Sequence, residues 1–251
     1  LINGIKKCEN ITIYNDVSVT DLLKNGDKVT GALGMDLYNG ELIQFEAKAT
    51  ILGTGGFQPY TLKSSNTDST GDGQAMAYRA GAKLADMEFI LFMVTAIEPK
   101  EYRGSFLPAL CSFRAAFDYD AVDASGKLID IPKKVREMES VSEMAKVLDM
   151  YYYGKVLNEG RGTKNDGFYF DFHRFTDEEI DRMYDAVMEH FEGFYPHGYY
   201  HGESIINYRD YIKKHRRIEV GFGGEYSVGG IYIDENMMTG VPGLYAAGEV
   251  G

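Results

Sequence analysis

The chain has 251 residues, of which 44% are hydrophobic and 25% charged, a composition typical of a globular protein. Its formal net charge of -12 argues against nucleic acid or an anionic membrane surface as a partner, because both would repel it. Cys8 and Cys111 are distant and form no CxxC pattern, which predicts reduced thiols in a cytoplasmic protein and no metal site. No apolar run approaches the roughly 20 residues that span a bilayer.

The first fifty residues contain strand-like runs separated by turn signals. Residues 11–14 alternate between apolar and polar side chains and predict a first strand. Three further runs of strand length follow, at 17–23, 29–37 and 41–47. Asn25-Gly26 and Asn39-Gly40 separate these three runs, and such pairs favour tight hairpins because both residues tolerate a positive φ. The pattern therefore predicts a three-stranded antiparallel meander.

Two glycine-rich turns come next. Residues 49–53 form a short apolar run that leads into Thr54-Gly55-Gly56, as a buried parallel strand does where it ends at a ligand crevice. The segment Thr70-Gly71-Asp72-Gly73 then precedes a predicted short helix, which Gly81 is placed to end.

Residues 98–217 contain fewer glycine turns than the flanking segments and more helical periodicity. This pattern predicts a mixed α+β insert. Ser142 is a candidate cap for one helix. Thr176 and Glu179 form a capping box for another helix, which is predicted to end at Gly193. His197 and His201 are four residues apart, but the neighbouring proline and glycines argue against a helical metal pair.

Glycine-rich segments occur again after the insert. Residues 226–233 read as a β-hairpin, and 243–247 read as another buried strand that leads into Gly248-Glu249. Glycine lets the backbone approach a cofactor closely. An ionised carboxylate beside such a turn accepts hydrogen bonds only, so Asp72 and Glu249 suit the hydroxyls of a ribose or ribityl chain.

These motifs, in this order, resemble the flavoprotein subunits of fumarate reductases and succinate dehydrogenases. The resemblance spans essentially the whole chain and rests on ILGTGG at 51–56, TGDGQAMA at 70–77, AGAKLADMEF at 80–89, YSVGGI at 226–231 and GLYAAGE at 243–249. In the middle it is thinner and rests on EGRG at 159–162 followed by YFD at 169–171.

The resemblance implies an α/β fold in which a partial, Rossmann-like FAD-binding domain with an antiparallel meander is interrupted by an α+β capping domain. Residues 1–97 and 218–251 would belong to the FAD-binding domain and 98–217 to the cap. The implied FAD contacts are Thr54, Gly55, Gly56, Asp72, Gly248 and Glu249. The family's G-x-G-x-x-G fingerprint and its C-terminal part are absent here, so the chain is expected to be an internal fragment, inactive alone, that binds FAD weakly or not at all.

Three positions depart from the family's substrate-binding pattern. Met93 and Glu225 stand where the family carries histidines, and counting back from Arg161 places Lys146 at the family's proton-donating arginine. A C4-dicarboxylate needs cationic or donor groups, and Glu225 would repel it. These changes favour a neutral or cationic substrate, or an apolar enone or enoate, over fumarate or succinate.

The resemblance implies an FAD-dependent oxidoreductase that transfers a hydride to an activated C=C bond of a small molecule, with Lys146 or Arg161 as the proton donor. A flavin-dependent oxidase of the L-aspartate oxidase type is the alternative among enzymes. A non-catalytic, degenerate flavoprotein subunit is the alternative of another class. The sequence leaves open an iron–sulfur or cytochrome protein as an electron-transfer partner.

Overall fold

The computed structural model describes residues 2–58, 69–104, 119–138, 147–183, 185 and 208–251. These residues fall into two compact units. Unit 1 takes its described residues from Leu1–Gln58, Asp68–Ile90 and Tyr226–Gly251, and unit 2 takes them from Leu91–Glu225. One unit is thus interrupted by the other. The assignment of 1–97 with 218–251 to an FAD-binding domain, and of 98–217 to a cap, stays a prediction.

The predicted meander is confirmed in unit 1. A single helical turn, α1 (Ile2–Ile5), precedes three antiparallel strands in the order β1-β2-β3, namely β1 (Val17–Asn25), β2 (Lys28–Asp36) and β3 (Leu42–Glu46). The second turn is stabilised by Asp36, whose Oδ1 accepts hydrogen bonds from the amides of Tyr38 and Asn39 at 2.8 and 3.2 Å. Local turn chemistry therefore sets the strand order here.

The rest of unit 1 consists of two small sheets and a helix. Strand β4 (Thr50–Leu52) pairs in parallel with β11 (Leu244–Ala246), and β5 (Leu84–Ala85) pairs antiparallel with β10 (Gly230–Ile231). Helix α2 (Asp72–Ala80) ends at Gly81, as predicted. The core of the unit is formed by non-aromatic apolar side chains, among them Val29, Leu52, Met76, Ala77, Ile231, Leu244 and Val250.

Unit 2 contains most of a four-stranded sheet of order β6-β9-β8-β7. Its strands are β6 (Ile90–Glu98), β7 (Asp120–Val122), β8 (Phe168–Asp171) and β9 (Arg217–Ser227). A 3-10 turn covers Lys100–Tyr102, and a π-helical segment covers Leu148–Tyr153. Among the described residues of this unit, the α-helices are α3 (Lys133–Arg136), α4 (Gly154–Asn158), α5 (described over 177–183) and α6 (Tyr208–His215).

The core of unit 2 is aromatic. The rings of Tyr153 and Phe168 stack at 4.4 Å, and those of Tyr119 and Phe170 lie 4.3 Å apart. The predicted capping box of α5 is confirmed, because the Thr176 amide donates to Glu179 Oε2 at 2.8 Å and the Glu179 amide donates to Thr176 Oγ1 at 3.2 Å. Ile180, one turn further on, is fully buried in this core.

Two strand predictions are wrong. Residues 11–14 form no strand and no ladder, and Ile11 and Ile13 are about half exposed. Residues 226–233 form no hairpin, because β10 pairs with β5 instead of with β9. Gly229 carries no side chain where the backbone of Asp86 passes, which permits this closer pairing. The caps and helix ends predicted at Ser142 and Gly193 lie outside the described residues.

Candidate cofactor site

Two of the predicted glycine turns lie side by side in unit 1. Strands β4 and β11 run parallel in register, with Leu52 opposite Ala246, and the Ala247 amide donates to the Leu52 carbonyl at 2.9 Å. Thr54-Gly55-Gly56 and Gly248-Glu249 therefore leave the same edge of this small sheet. The carboxyl ends of parallel strands are where open α/β folds bind their ligands.

The side chain of Glu249 lies directly against the first turn. A Cβ built on Gly56 would come within 2.9 Å of Cδ and Oε1 of Glu249, so the glycine leaves room for the carboxylate in this position. Glu249 itself is exposed. Its carboxylate thus lies over the turn and can accept hydrogen bonds from a ligand.

The amino end of α2 lies against the same two turns. A Cβ built on Gly73 would overlap Thr54 Oγ1 and lie 3.0 Å from Cγ2 of Val250, so the helix packs against both turns through its backbone. Thr70 Oγ1 donates a hydrogen bond to Oδ2 of Asp72, whose side chain is exposed. The structure thus brings together all six residues predicted to contact the cofactor.

Gln74 is a residue of this site that the sequence analysis did not single out. Its side chain is 3% exposed, and its Nε2 donates to the Gly55 carbonyl at 3.3 Å. Within the part of the chain that the structure describes, its buried Oε1 has no hydrogen-bond partner. A glutamine in the first turn of a helix, next to a Gly-Asp-Gly motif, was the available signal.

These features fit a dinucleotide cofactor. The first intrahelical amide bond of α2 is that of Ala75 to the Gly71 carbonyl, so the amides before it point out of the helix start. Exposed carboxylates at Asp72 and Glu249 suit sugar hydroxyls, and the glycine backbone allows close approach. Hydrogen-bond acceptors, hydrogen-bond donors and glycine backbone that a ligand can approach closely are thus combined at the start of α2.

The residues predicted to be catalytic belong to the other unit. Met93 lies half-buried on β6. Glu225 lies in β9, but its side chain is outside what the structure describes, and so is the whole of Lys146. Their roles stay predictions.

Arg161 is bound within unit 2 by two carboxylates. Its guanidinium lies 2.6 Å from Asp123 Oδ2 and 3.2 Å from Glu159 Oε2. These hydrogen bonds raise the pKa of Arg161, which makes it a weaker acid. The arrangement gives Arg161 a structural role within unit 2, and proton donation by Arg161 stays a prediction.

Asp123 is the buried partner of that pair, with a side chain only 3% exposed. Burial acts to raise its pKa, but hydrogen bonds from Ser125, Arg161 and the Lys127 amide outweigh burial and lower the pKa to about 2. The carboxylate therefore stays ionised and orders the turn between β7 and Leu128.

Comparison with known proteins agrees with this geometry. The sequence profile of the FAD binding domain family matches residues 1–251. The chain belongs to this family. The family match confirms the prediction of FAD as the cofactor. The predicted fold class, an FAD-binding flavoprotein with mixed helices and antiparallel sheets, is also confirmed.

The relatives of this chain include those suggested by its motifs. It is 30% identical over 248 residues to a component of the CoM/CoB fumarate reductase of Methanothermobacter marburgensis, covering 96% of this chain and 40% of that protein. It is 28% identical to L-aspartate oxidase 1 of Ralstonia nicotianae, covering 99% of this chain and 43% of that protein. The chain thus spans about two fifths of the length of the curated relatives that it matches.

A solved structure gives the same picture for the fold. Mycobacterium smegmatis Sdh1 in complex with UQ1 superposes with a TM-score of 0.68 at 28% identity, covering 96% of this chain and 37% of that one. Over the described ranges of the present chain, no helix is both long and apolar enough to cross a membrane. Those ranges also contain no group of three or more side chains suited to hold a metal ion.

Proposed function

We propose that this chain forms the FAD-binding and capping segments of an FAD-dependent oxidoreductase that reduces an activated C=C bond. The observation that carries the proposal is the convergence of Gly56, Gly73, Asp72 and Glu249 at the start of α2. The family match and the fumarate reductase relatives support it. Unit 1 would belong to the FAD-binding domain, and unit 2 would be the cap.

FAD, when bound, supplies the hydride chemistry. The residues of unit 1 bind and orient the cofactor. Asp72 and Glu249 accept hydrogen bonds from its hydroxyls, and the outward amides of α2 favour its anionic part. In this scheme the cap excludes water from the reacting atoms.

The substrate proposal rests on the sequence. Met93 has no useful hydrogen-bond donor, and Glu225 is an anion, so neither is suited to bind a second carboxylate of a dicarboxylate. We therefore propose a substrate with at most one carboxylate, protonated by Lys146. Restoring a histidine at position 225 in the full-length protein, Glu225→His, would then increase fumarate-dependent reoxidation of the reduced flavin. An unchanged rate would remove this argument.

The cofactor proposal is tested by visible absorption spectra of the full-length protein and of this 251-residue chain, before and after addition of FAD. We expect a flavin band in the full-length protein and a weak band, or none, in the chain alone. In the full-length protein, Asp72→Ala and Glu249→Ala should each weaken FAD binding roughly tenfold or more, because each removes a charged acceptor. Asp27→Ala, in an exposed hairpin turn of the same unit, is the matched control.

The outcomes separate the alternatives. Rapid oxygen consumption by the flavin-loaded protein without another acceptor would favour an oxidase of the L-aspartate oxidase type, which the relatives also include. A full-length protein without bound flavin would favour the non-catalytic alternative and would overturn the redox proposal. Copurification of an iron–sulfur or cytochrome protein would identify the electron-transfer partner that the sequence leaves open.

A further inference from the structure

Gln74 is a buried polar residue of unit 1 to which the proposed function gives no role. It lies in the first turn of α2, followed by Met76 and Ala77 of the apolar core. Its Nε2 donates a hydrogen bond to the Gly55 carbonyl at 3.3 Å. Its buried Oε1 has no partner among the residues that the structure describes. The one hydrogen bond of this side chain is therefore made to the first glycine turn.

The direction of the Gln74 amide is fixed by its surroundings. If its two ends were exchanged, Oε1 would face the Gly55 carbonyl oxygen, and two acceptors would repel each other. A buried oxygen without a hydrogen bond also costs free energy, which an apolar side chain of similar length would avoid. Packing of α2 alone therefore does not account for a glutamine here. The contact with Gly55 points to a role in the turn.

The hydrogen bond to Gly55 orients one peptide group. A peptide group is planar and trans, so the C=O of Gly55 and the N–H of Gly56 point in opposite directions. Gly55 adopts φ 76, and two successive glycines resist rotation of this peptide only weakly. Gly56 is buried, and its N–H has no hydrogen-bond partner within the described ranges. Buried amides are seldom left without a partner, so this N–H is suited to an acceptor on a ligand.

The carboxylate of Glu249 lies beside the same N–H. A Cβ built on Gly56 would be 2.9 Å from Oε1 of Glu249. Because a Cβ lies about 2.5 Å from its own amide nitrogen, that nitrogen is at most about 5.4 Å from Oε1. An oxygen atom with two hydrogen bonds of about 2.9 Å can bridge up to about 5.8 Å. One hydroxyl can therefore accept from Gly56 and donate to Glu249, whose exposed side chain can rotate to admit it.

We propose that Gln74 is a positioning residue, which holds the Gly56 N–H beside the Glu249 carboxylate. One hydroxyl of the ribose or ribityl chain of FAD is then bound by both groups. Gln74 itself does not contact the cofactor in this arrangement, because its side chain is buried. The inference rests on the proposed FAD function. It adds a hydrogen-bond donor, the Gly56 amide, and the residue that orients this donor.

The affinity of the full-length protein for FAD, measured by titrating the flavin-free form, tests the proposal. Gln74→Met keeps the length of the side chain and removes the donor, so it should weaken FAD binding about fivefold or more. Met76→Leu, a buried change of similar size in the same helix, is the matched control and should leave the affinity within about twofold. Thermal denaturation without FAD shows whether each variant is folded. Gln74→Leu, a second apolar replacement, gives the same comparison if Gln74→Met does not fold.

A double-mutant cycle separates positioning from a loss of packing. If Gln74 and Glu249 serve the same hydroxyl, the effects of Gln74→Met and Glu249→Ala on FAD affinity are not additive. The double variant should then bind about threefold or more tightly than the product of the single effects predicts. Met76→Leu combined with Glu249→Ala should be additive.

Two results would overturn the role of Gln74 and leave the FAD proposal intact. One is unchanged FAD affinity in Gln74→Met, and the other is additivity of Gln74→Met with Glu249→Ala. A full-length protein that binds no FAD would overturn the proposed function, and this inference with it.

Discussion

At the scale of single residues, the partner of a side chain decides its role. Arg161 has the sequence position of a candidate proton donor, yet its guanidinium contacts Asp123, 38 residues earlier in the chain. Three donors from the intervening turn satisfy the other oxygen of Asp123, namely the Ser125 amide and hydroxyl and the Lys127 amide. The pair therefore joins two segments of unit 2.

Asp123→Asn should destabilise unit 2 by roughly 2 kcal/mol, because it removes the charge that Arg161 pairs with and places an amide opposite its donors. The effect should depend on pH. The pKa of Asp123 is lowered from 3.8 to about 2 in the folded state. The carboxylate therefore stabilises the fold above about pH 4, and this contribution is lost as the pH falls towards 2.

Urea denaturation of the unmodified chain and of Asp123→Asn, at several pH values between neutrality and about pH 2, measures this effect. The difference in unfolding free energy between the two proteins should shrink as the pH falls from about 4 towards 2. Asp130→Asn, at an exposed neighbouring carboxylate, should cause little change. A difference that does not vary with pH would contradict the role assigned to Asp123.

At the scale of secondary-structure elements, the sequence predicted turns and helix caps correctly, but it predicted two of the strand elements incorrectly. The meander follows from its turns, and the cap of α5 follows from Thr176 and Glu179, because the deciding contacts lie within a few residues. The predictions of a strand at 11–14 and of a hairpin at 226–233 were wrong, because a strand pairs with a partner that its own sequence does not specify. Gly230 pairs instead with Ala85, far away in the chain.

The β2–β3 pairing supplies a test at this scale. A Cβ on Gly31 would overlap the carbonyl oxygen of Phe45 and lie 2.9 Å from its carbon, so Gly31→Ala must push β2 away from β3. We expect a loss of about 3 kcal/mol in the stability of unit 1. Gly40→Ala, at φ 74 with no atom within 4 Å of the new Cβ, should cost only about 1 kcal/mol of backbone strain.

Thermal and urea denaturation of the two glycine variants give this comparison directly. Equal losses of stability in both variants would mean that backbone strain alone accounts for the effect. The close approach of β3 to Gly31 would then make no contribution.

At the scale of the whole molecule, the residues that the structure describes form two hydrophobic cores of different composition. The core of unit 1 contains mainly aliphatic side chains, and the core of unit 2 is built around aromatic rings. Leu244 is buried in the first, and Ile218 is buried in the second. We therefore expect each core to respond separately to a cavity.

Ile218→Ala and Leu244→Ala should each lower stability by about 3 kcal/mol in one unit only. Hydrogen exchange followed by mass spectrometry resolves the two, because peptides from each unit report their own opening free energy. Ile218→Ala should accelerate exchange in unit 2, and Leu244→Ala in unit 1. Equal acceleration in both units by either variant would show that the chain unfolds as one cooperative body.

The sequence by itself determined the family, the cofactor class, the meander and the glycine turns that meet at α2. It could do so because glycine turns, carboxylates beside them and capping residues carry their physical reasons within a few positions. Only the tertiary structure decided that Arg161 pairs with Asp123, that Gln74 is buried beside Gly55, and that β10 pairs with β5. Each of these contacts joins residues far apart in the chain, and long-range packing, which no local pattern encodes, selects the partner.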